Sequence, residues 1–173
     1  MKLILGKAFK YGNNIDTDQI YPGRYLDMVD VKEIAKHCME GVDEMFITNS
    51  KPGDIIVGGK NFGCGSSREH AVITLINAEV GAIVAESFGR IFYRNAINLG
   101  LPVLVCPDIT KKVKTGDILE LNILEGHILN KTDGNLIKGE KISDYIMEII
   151  ENGGIKPLFK KITSNKDYLS PKS

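Results

Sequence analysis

Residues 58–70 read Gly58-Gly-Lys-Asn-Phe-Gly-Cys-Gly-Ser-Ser-Arg-Glu-His70, and their reading decides the fold. The apolar run Asp54-Ile-Ile-Val57 leads in and predicts a strand. Glycines at 58, 59, 63 and 65 then interrupt the pattern, and Ser66-Ser-Arg-Glu-His70 opens an apolar-periodic run to Ala78 that predicts a helix. A strand, a glycine-rich turn and a helix start form an anion-binding layout. The glycines let the backbone approach a ligand, and the helix N-terminus offers free N–H groups and partial positive charge. Arg68 brings a planar fork suited to carboxylate or phosphate. Ser66 and Glu69 have the spacing of a capping box, which predicts that Ser66 caps the helix. That leaves the glycines, Ser67 and Arg68 to be explained. A cation in the first turn opposes the helix dipole, so Arg68 makes sense there when an anion occupies the site.

The stretch fits other Gly-rich motifs poorly. Gly58 and Gly63 have the first P-loop spacing, but Cys64-Gly65 stands where Lys and Ser/Thr are needed. There is no dinucleotide fingerprint with its ribose acid, and Arg68 occupies the last glycine of a nucleophile elbow. No histidine is obviously placed to activate Ser66.

Working outward, Gly81-Ala-Ile-Val-Ala85 predicts a buried strand, and Ser87 is the expected cap of a helix over residues 90–99. Arg90 and Arg94 share one face of it and read as solvated. Gly100 and Pro102 end that helix, and residues 101–105 predict a third strand. Residues 54–106 therefore read as a βαβαβ unit with a parallel sheet. Beyond Pro107 come short β segments around 117–123, 127–129 and 136–138, separated by turns, then an amphipathic helix near 143–151. Upstream, residues 3–9 predict a strand with a bend at Gly6. Asp16 and Asp18 share a face if Ile15–Tyr21 is extended, as a polar orienting pair or as turn-stabilising Asx residues. Asp30 is the expected N-cap of a helix over 31–39 that Gly41 ends.

With 173 residues and 43% hydrophobic content, the chain can build one real core. Its 22 basic and 22 acidic residues cancel, so nothing electrostatic points to nucleic acid or a membrane surface. No apolar run approaches about 18 residues and no signal-peptide pattern is present, so a cytoplasmic protein is expected. Cys38, Cys64 and Cys106 are scattered, with neither a disulfide framework nor a C-x-x-C spacing, so cluster chemistry would have to come from another chain. His37 and His127 read as surface or packing residues.

Lys60-Asn-Phe-Gly-Cys-Gly-Ser-Ser-Arg-Glu-His70 closely resembles the signature of the small subunits of 3-isopropylmalate dehydratase (isomerase), in the aconitase superfamily. Asn14-Ile-Asp-Thr-Asp18, Pro22-Gly-Arg-Tyr-Leu26, Ala35-Lys-His-Cys-Met-Glu40 and the run from Ala85-Glu-Ser-Phe-Gly-Arg90 to Pro102 resemble that family too. The resemblance covers residues 5–159. It implies an α/β fold, a swivelling β/β/α domain of the aconitase type over residues 1–159, with a loose tail over 160–173. In aconitase this domain is the fourth of one long chain. Here it resembles a separate polypeptide that must meet a large subunit carrying a [4Fe-4S] cluster, with no cofactor bound by this chain itself.

The resemblance also implies chemistry: stereospecific dehydration and rehydration of a 2-hydroxy acid through an enediolate-like carbanion, as in leucine biosynthesis. It makes Ser66 the catalytic base, puts Ser67 and Arg68 on the substrate carboxylate, and makes Asp18 an acid lining the site. Gly63, Cys64 and Gly65 form the pocket loop. A serine hydroxyl is a poor base unless its alkoxide is stabilised, and the helix N-terminus, loop amides and Arg68 are suited to that. Family members that accept a third carboxylate resemble Tyr-Leu-Arg-Thr after the Pro-Gly pair, whereas this chain has Tyr25-Leu-Asp-Met28. Asp27 would repel a third carboxylate, and Met28 would pack on an alkyl branch. Isopropylmalate is the expected substrate. A 2,3-dimethylmalate or citramalate dehydratase, or less readily a homoaconitase, is the alternative. A non-catalytic carboxylate-binding module is the competing class, and the intact Ser66-Ser67-Arg68 argues against it.

Overall fold

In chain order the strands are β1 (Ile4–Lys10), β2 (Ile55–Gly58), β3 (Ala82–Ala85), β4 (Val103–Val105), β5 (Ile118–Asn122), β6 (His127–Asn130) and β7 (Leu136–Lys138). The helices are α1 (Thr17–Ile20), α2 (Val31–Ala35), α3 (Phe46–Asn49), α4 (Glu69–Asn77), α5 (Arg90–Asn98), α6 (Ile109–Lys112), α7 (Asp144–Glu151) and α8 (Ile155–Ser164), with a 3₁₀ turn at Gly23–Tyr25. This computed structural model describes residues 3–165.

The seven strands form one sheet in the order β4-β3-β2-β1-β5-β6-β7. The expected βαβαβ unit is present, with β2, β3 and β4 parallel and α4 and α5 as its crossovers. β1 joins the sheet's parallel and antiparallel halves. Its second half pairs parallel with β2 (Ala8 with Ile55), and its first half pairs antiparallel with β5 (Ile4 with Leu121). The bend expected at Gly6 does not interrupt the strand: Gly6 pairs with Leu119 inside the antiparallel half, and the switch falls between Lys7 and Ala8. A Cβ at Gly6 would stand 2.3 Å from the Gly53 carbonyl oxygen, so only glycine lets the chains approach.

Strand alternation divides the core in two. Phe9, Ile56 and Ile83 face one way and pack with Val72 and Leu75 of α4 and Phe92 and Ala96 of α5. Ala8, Ile55, Val57, Ala82 and Val84 face the other way, and meet Leu119, Leu121, Ile128 and Ile137 of the antiparallel half. The sheet has curled over its own second face, which gives the β/β/α layering. Strands buried on both faces need continuous apolar runs, and β2 and β3 supply them. Each fully buried Ile or Leu contributes up to about 2–3 kcal/mol, so this double burial fixes the edge from which the site loop emerges.

Three local expectations are corrected. The helix expected over residues 31–39 stops at Ala35, although Asp30 does cap it through the Lys32 amide. Met39 takes a left-handed conformation, its N–H donates to the Ile20 carbonyl at 2.7 Å, and the Gly41 N–H donates to the Gln19 carbonyl at 2.9 Å. These bonds to α1 outcompete another helical turn. Ser87 does not cap α5. Gly89 holds the cap position, and the Ser87 hydroxyl accepts from the Asn61 N–H instead. The tail expected to loosen at residue 160 is helical as far as Ser164, with Leu158 buried, so the boundary falls inside α8. The rest of that tail, from 166 onward, lies outside the described residues. Among those described, no helix is long and apolar enough to cross a membrane.

Candidate active site

The carboxyl ends of β2 and β3 open on the same edge, the usual place for a ligand in a parallel sheet. The loop leaving β2 is threaded between two neighbours. On one side the Gly59 N–H donates to Gly12, the Asn14 N–H to Lys60, the Gly63 N–H to Ile15 and the Thr17 N–H to Cys64. On the other side the Phe62 N–H donates to Ser87 and the Gly89 N–H to Phe62. The Phe62 ring is fully buried and packs edge-on against Phe88 and Phe92. Gly63 lies at φ 81°, and a Cβ there would stand 2.1 Å from Phe92 Cγ. Residues 59–64 are therefore a rigid ledge. Gly65, Ser66 and Ser67 project from it into solvent.

The expected capping box does not form. The N-cap of α4 is Arg68, without a side-chain cap, and the Arg68 N–H donates to the Ser66 carbonyl at 2.9 Å. That tight turn delays the helix by two residues and leaves the Ser66 hydroxyl out of helix capping. Its Oγ lies 3.4 Å from the Thr17 hydroxyl, which is buried and anchored through its own N–H to Cys64. Among the described residues, no group accepts from the amides of Gly65, Ser66 and Ser67, and the Ser67 hydroxyl makes no hydrogen bond. The loop thus presents consecutive unpartnered donors at the start of a nine-residue helix.

Residues 15–21 are not a continuous extended segment: Thr17–Ile20 are helical between extended Asp16 and Tyr21. α1 forms, and Asp16 closes its capping box with Gln19. The turn-stabilising role therefore belongs to Asp16, while Asp18 points away to the site. Asp18 Oδ1 accepts from Arg68 Nη1 at 2.8 Å and from the Gly23 N–H at 2.7 Å. The Arg68 hydrogen bond, aided by the Gly23 amide, holds the Asp18 carboxyl below the usual carboxylate range. The two side chains are 26% and 66% exposed, so the pair adds little to stability, and its effect is to aim the guanidinium.

The structure thus gathers Asp18, Arg68 and the Gly63–Cys64–Gly65–Ser66–Ser67 loop. Among the described residues, no hydrogen bond or ion pair joins Asp27 or Met28 to them. Both follow the 3₁₀ turn, whose Gly23 packs against Arg68. A Cβ on Gly23 would lie 3.2 Å from both guanidinium nitrogens. Asp27 is exposed and Met28 half-buried. His37 is a packing histidine as expected, stacked on Tyr25 at 3.7 Å between centroids. Two residues of the site region were missed. Thr17 sits between the acids already noted. Glu40 gathers hydrogen bonds from Arg24, Tyr25 and His37, and its signal was the i,i+3 spacing to His37.

The thiols do not make a cluster site. Cys38 and Cys106 are buried in separate core clusters, and Cys64 is half-buried in the loop. Among the described residues, no three His, Cys, Asp or Glu side chains come together as metal ligands. The described side chains therefore do not make up the ligand set of an iron–sulfur cluster. Burial pushes the Cys106 thiol up to about 11, and the Cys38 thiol higher. In the folded chain at pH 8, a maleimide should label Cys64 alone, with Cys38 and Cys106 reacting only in denaturant. Peptide mapping of labelled thiols checks this, and early labelling at Cys106 would contradict it.

Comparison with known proteins agrees with this fold. The family model described as the aconitase C-terminal domain matches residues 10–108. The isopropylmalate/citramalate isomerase small subunit of Methanocaldococcus jannaschii is 54% identical over 159 residues, covering 92% of this chain and 95% of the relative. The 3-isopropylmalate dehydratase small subunit of Clostridium beijerinckii is 50% identical over 152 residues, covering 88% and 94%. The crystal structure of a 3-isopropylmalate dehydratase from M. jannaschii superposes with a TM-score of 0.91 at 42% identity, covering 98% of this chain and 100% of the other. With its sheet and these relatives in agreement, the chain belongs to the aconitase C-terminal domain family, among the small subunits of 3-isopropylmalate dehydratase.

Proposed function

We propose that this chain supplies the base and the carboxylate-binding half of a 3-isopropylmalate dehydratase site, a hydro-lyase that isomerises 2-isopropylmalate to 3-isopropylmalate in leucine biosynthesis. One observation carries the reading: Gly65, Ser66 and Ser67 hold out unpartnered amides beside an arginine that Asp18 aims. Ser66 Oγ takes the proton from the carbon next to a carboxylate. The electrons left behind spread into that carboxylate as an enediolate-like anion, held by Ser67 and Arg68. The loop amides and the N-terminus of α4 favour the anionic forms, and the Thr17 hydroxyl donates to Ser66 Oγ while it is charged. Loss of hydroxide completes the dehydration, and return of water to the neighbouring carbon completes the isomerisation. That half of the reaction is assigned to a large subunit, together with the [4Fe-4S] cluster. The open exposure of the loop suits a site that a second chain must close.

The substrate on this reading has two carboxylates and an apolar branch. Asp27 disfavours a third carboxylate, and Met28 packs on the branch. Citramalate is the second reading, favoured by the double name of the M. jannaschii relative. The chain, assembled with its large subunit without oxygen, should turn over 2-isopropylmalate best, citramalate detectably, and homocitrate not at all. A preference for homocitrate or cis-homoaconitate would overturn the substrate assignment.

A further inference from the structure

The turn at Gly23–Tyr25, which leads into the Asp27-Met28 loop, is held at both ends. At its start the Gly23 N–H donates to Asp18 Oδ1 at 2.7 Å, the oxygen that Arg68 also contacts. At its end the Tyr25 hydroxyl donates to Glu40 Oε1 at 2.7 Å. Arg24 Nη2 reaches the same oxygen at 2.8 Å, and His37 Nδ1 bonds the other. The Tyr25 ring lies flat on His37, while its carbonyl accepts from the hydroxyl of buried Tyr21 at 2.6 Å. Glu40 is itself fixed to the site. The amides on either side of it, Met39 and Gly41, bond to Ile20 and Gln19 of α1, the helix that carries Asp18. α1 therefore works as a bracket. One arm, Asp18, sets Arg68. The other arm, Glu40, sets the far end of the turn. No residue of this second arm contacts the site loop through a side-chain hydrogen bond among the described residues.

We infer that Glu40 is a positioning residue that, through Tyr25 and His37, holds the 26–29 loop at a set distance from Arg68 and so fixes which branch the substrate carries. This rests on the reading that the Asp27-Met28 loop faces the branch. A carboxylate is needed because it accepts several charge-assisted bonds at once. A glutamine of the same shape keeps one acceptor, loses the charge and releases the turn.

The test uses the chain assembled with its large subunit and compares Glu40→Gln, Tyr25→Phe and Met28→Ala with wild type on 2-isopropylmalate and citramalate. Glu40→Gln should raise the KM for 2-isopropylmalate about tenfold and cut its preference over citramalate by a similar factor, with kcat within about twofold, because small displacements act on binding geometry. Tyr25→Phe, which removes only one hydroxyl, should move both quantities the same way by less. Met28→Ala should shift the preference by direct loss of packing. If Met28→Ala shifts the preference and Glu40→Gln and Tyr25→Phe do not, the inference is wrong while the reading of the loop stands. A lower melting temperature for Glu40→Gln with unchanged KM and preference would mark the residue as structural only, and would overturn it equally. If none of the three moves the preference, the loop does not face the branch, and the inference falls with that reading.

Discussion

Replacing Ser66 with alanine should lower turnover of the assembled enzyme by about 10²- to 10⁴-fold, the range that a positioned base contributes. Assembly with the large subunit should be unaffected. The structure makes this substitution informative because Ser66 caps nothing. The helix behind it begins at Arg68, and the Ser66 side chain is exposed, with a 3.4 Å contact to Thr17 as its hydrogen-bonding neighbour. Removing the hydroxyl therefore takes away a reactive group without removing a support. Had the capping box formed, the same change would have cost about 1 kcal/mol of helix stability and confused the result. Initial-rate measurements with a gel-filtration control separate the two effects. Near-normal turnover would remove Ser66 as the base.

The second large effect is structural. Gly63→Ala should cost about 3 kcal/mol or more, the sum of a left-handed backbone that a Cβ penalises and an overpacked contact. A Cβ at Gly63 would fall 2.1 Å from Phe92 Cγ and 2.5 Å from its Cβ, with the backbone held at φ 81°. Phe92 has no room to move, since it packs on Phe62 and Phe88. For a chain of this size the melting midpoint should fall by about 10 °C. The loop should also shift relative to α1, and a displacement of about 1 Å can cost 10²-fold in rate. Differential scanning calorimetry checks the first effect. An unchanged midpoint would mean that the ledge yields more easily than its packing indicates.

The parallel half of the fold was legible because its strands are short, wholly apolar and bounded by glycine or proline, a pattern that only double burial requires. β1 was legible as a strand but not as the junction of the sheet's parallel and antiparallel halves. Its pairing with β5 joins Leu5 to Glu120, a contact with no local sequence trace. α1 carried its signal openly, Asp16 followed three residues later by Gln19, yet the two-residue spacing of Asp16 and Asp18 suits an extended segment equally. The site loop was legible as a glycine-rich turn leading from a strand into a helix. The position of the helix start was not, because the Arg68-to-Ser66 turn competes with a capping box that the residue types equally allow. Glu40 and Thr17 act through partners distant in sequence, and spacing along the chain is silent about such pairs.

The central claim is that this chain holds half a site whose other half is on a second polypeptide. The most direct measurement is the rate of 2-isopropylmalate isomerisation by this chain alone, by the large subunit alone and by the two mixed, all under anoxic conditions. Turnover should appear only in the mixture and rise with added small subunit until the two are equal in amount. Full activity in the large subunit alone would contradict it.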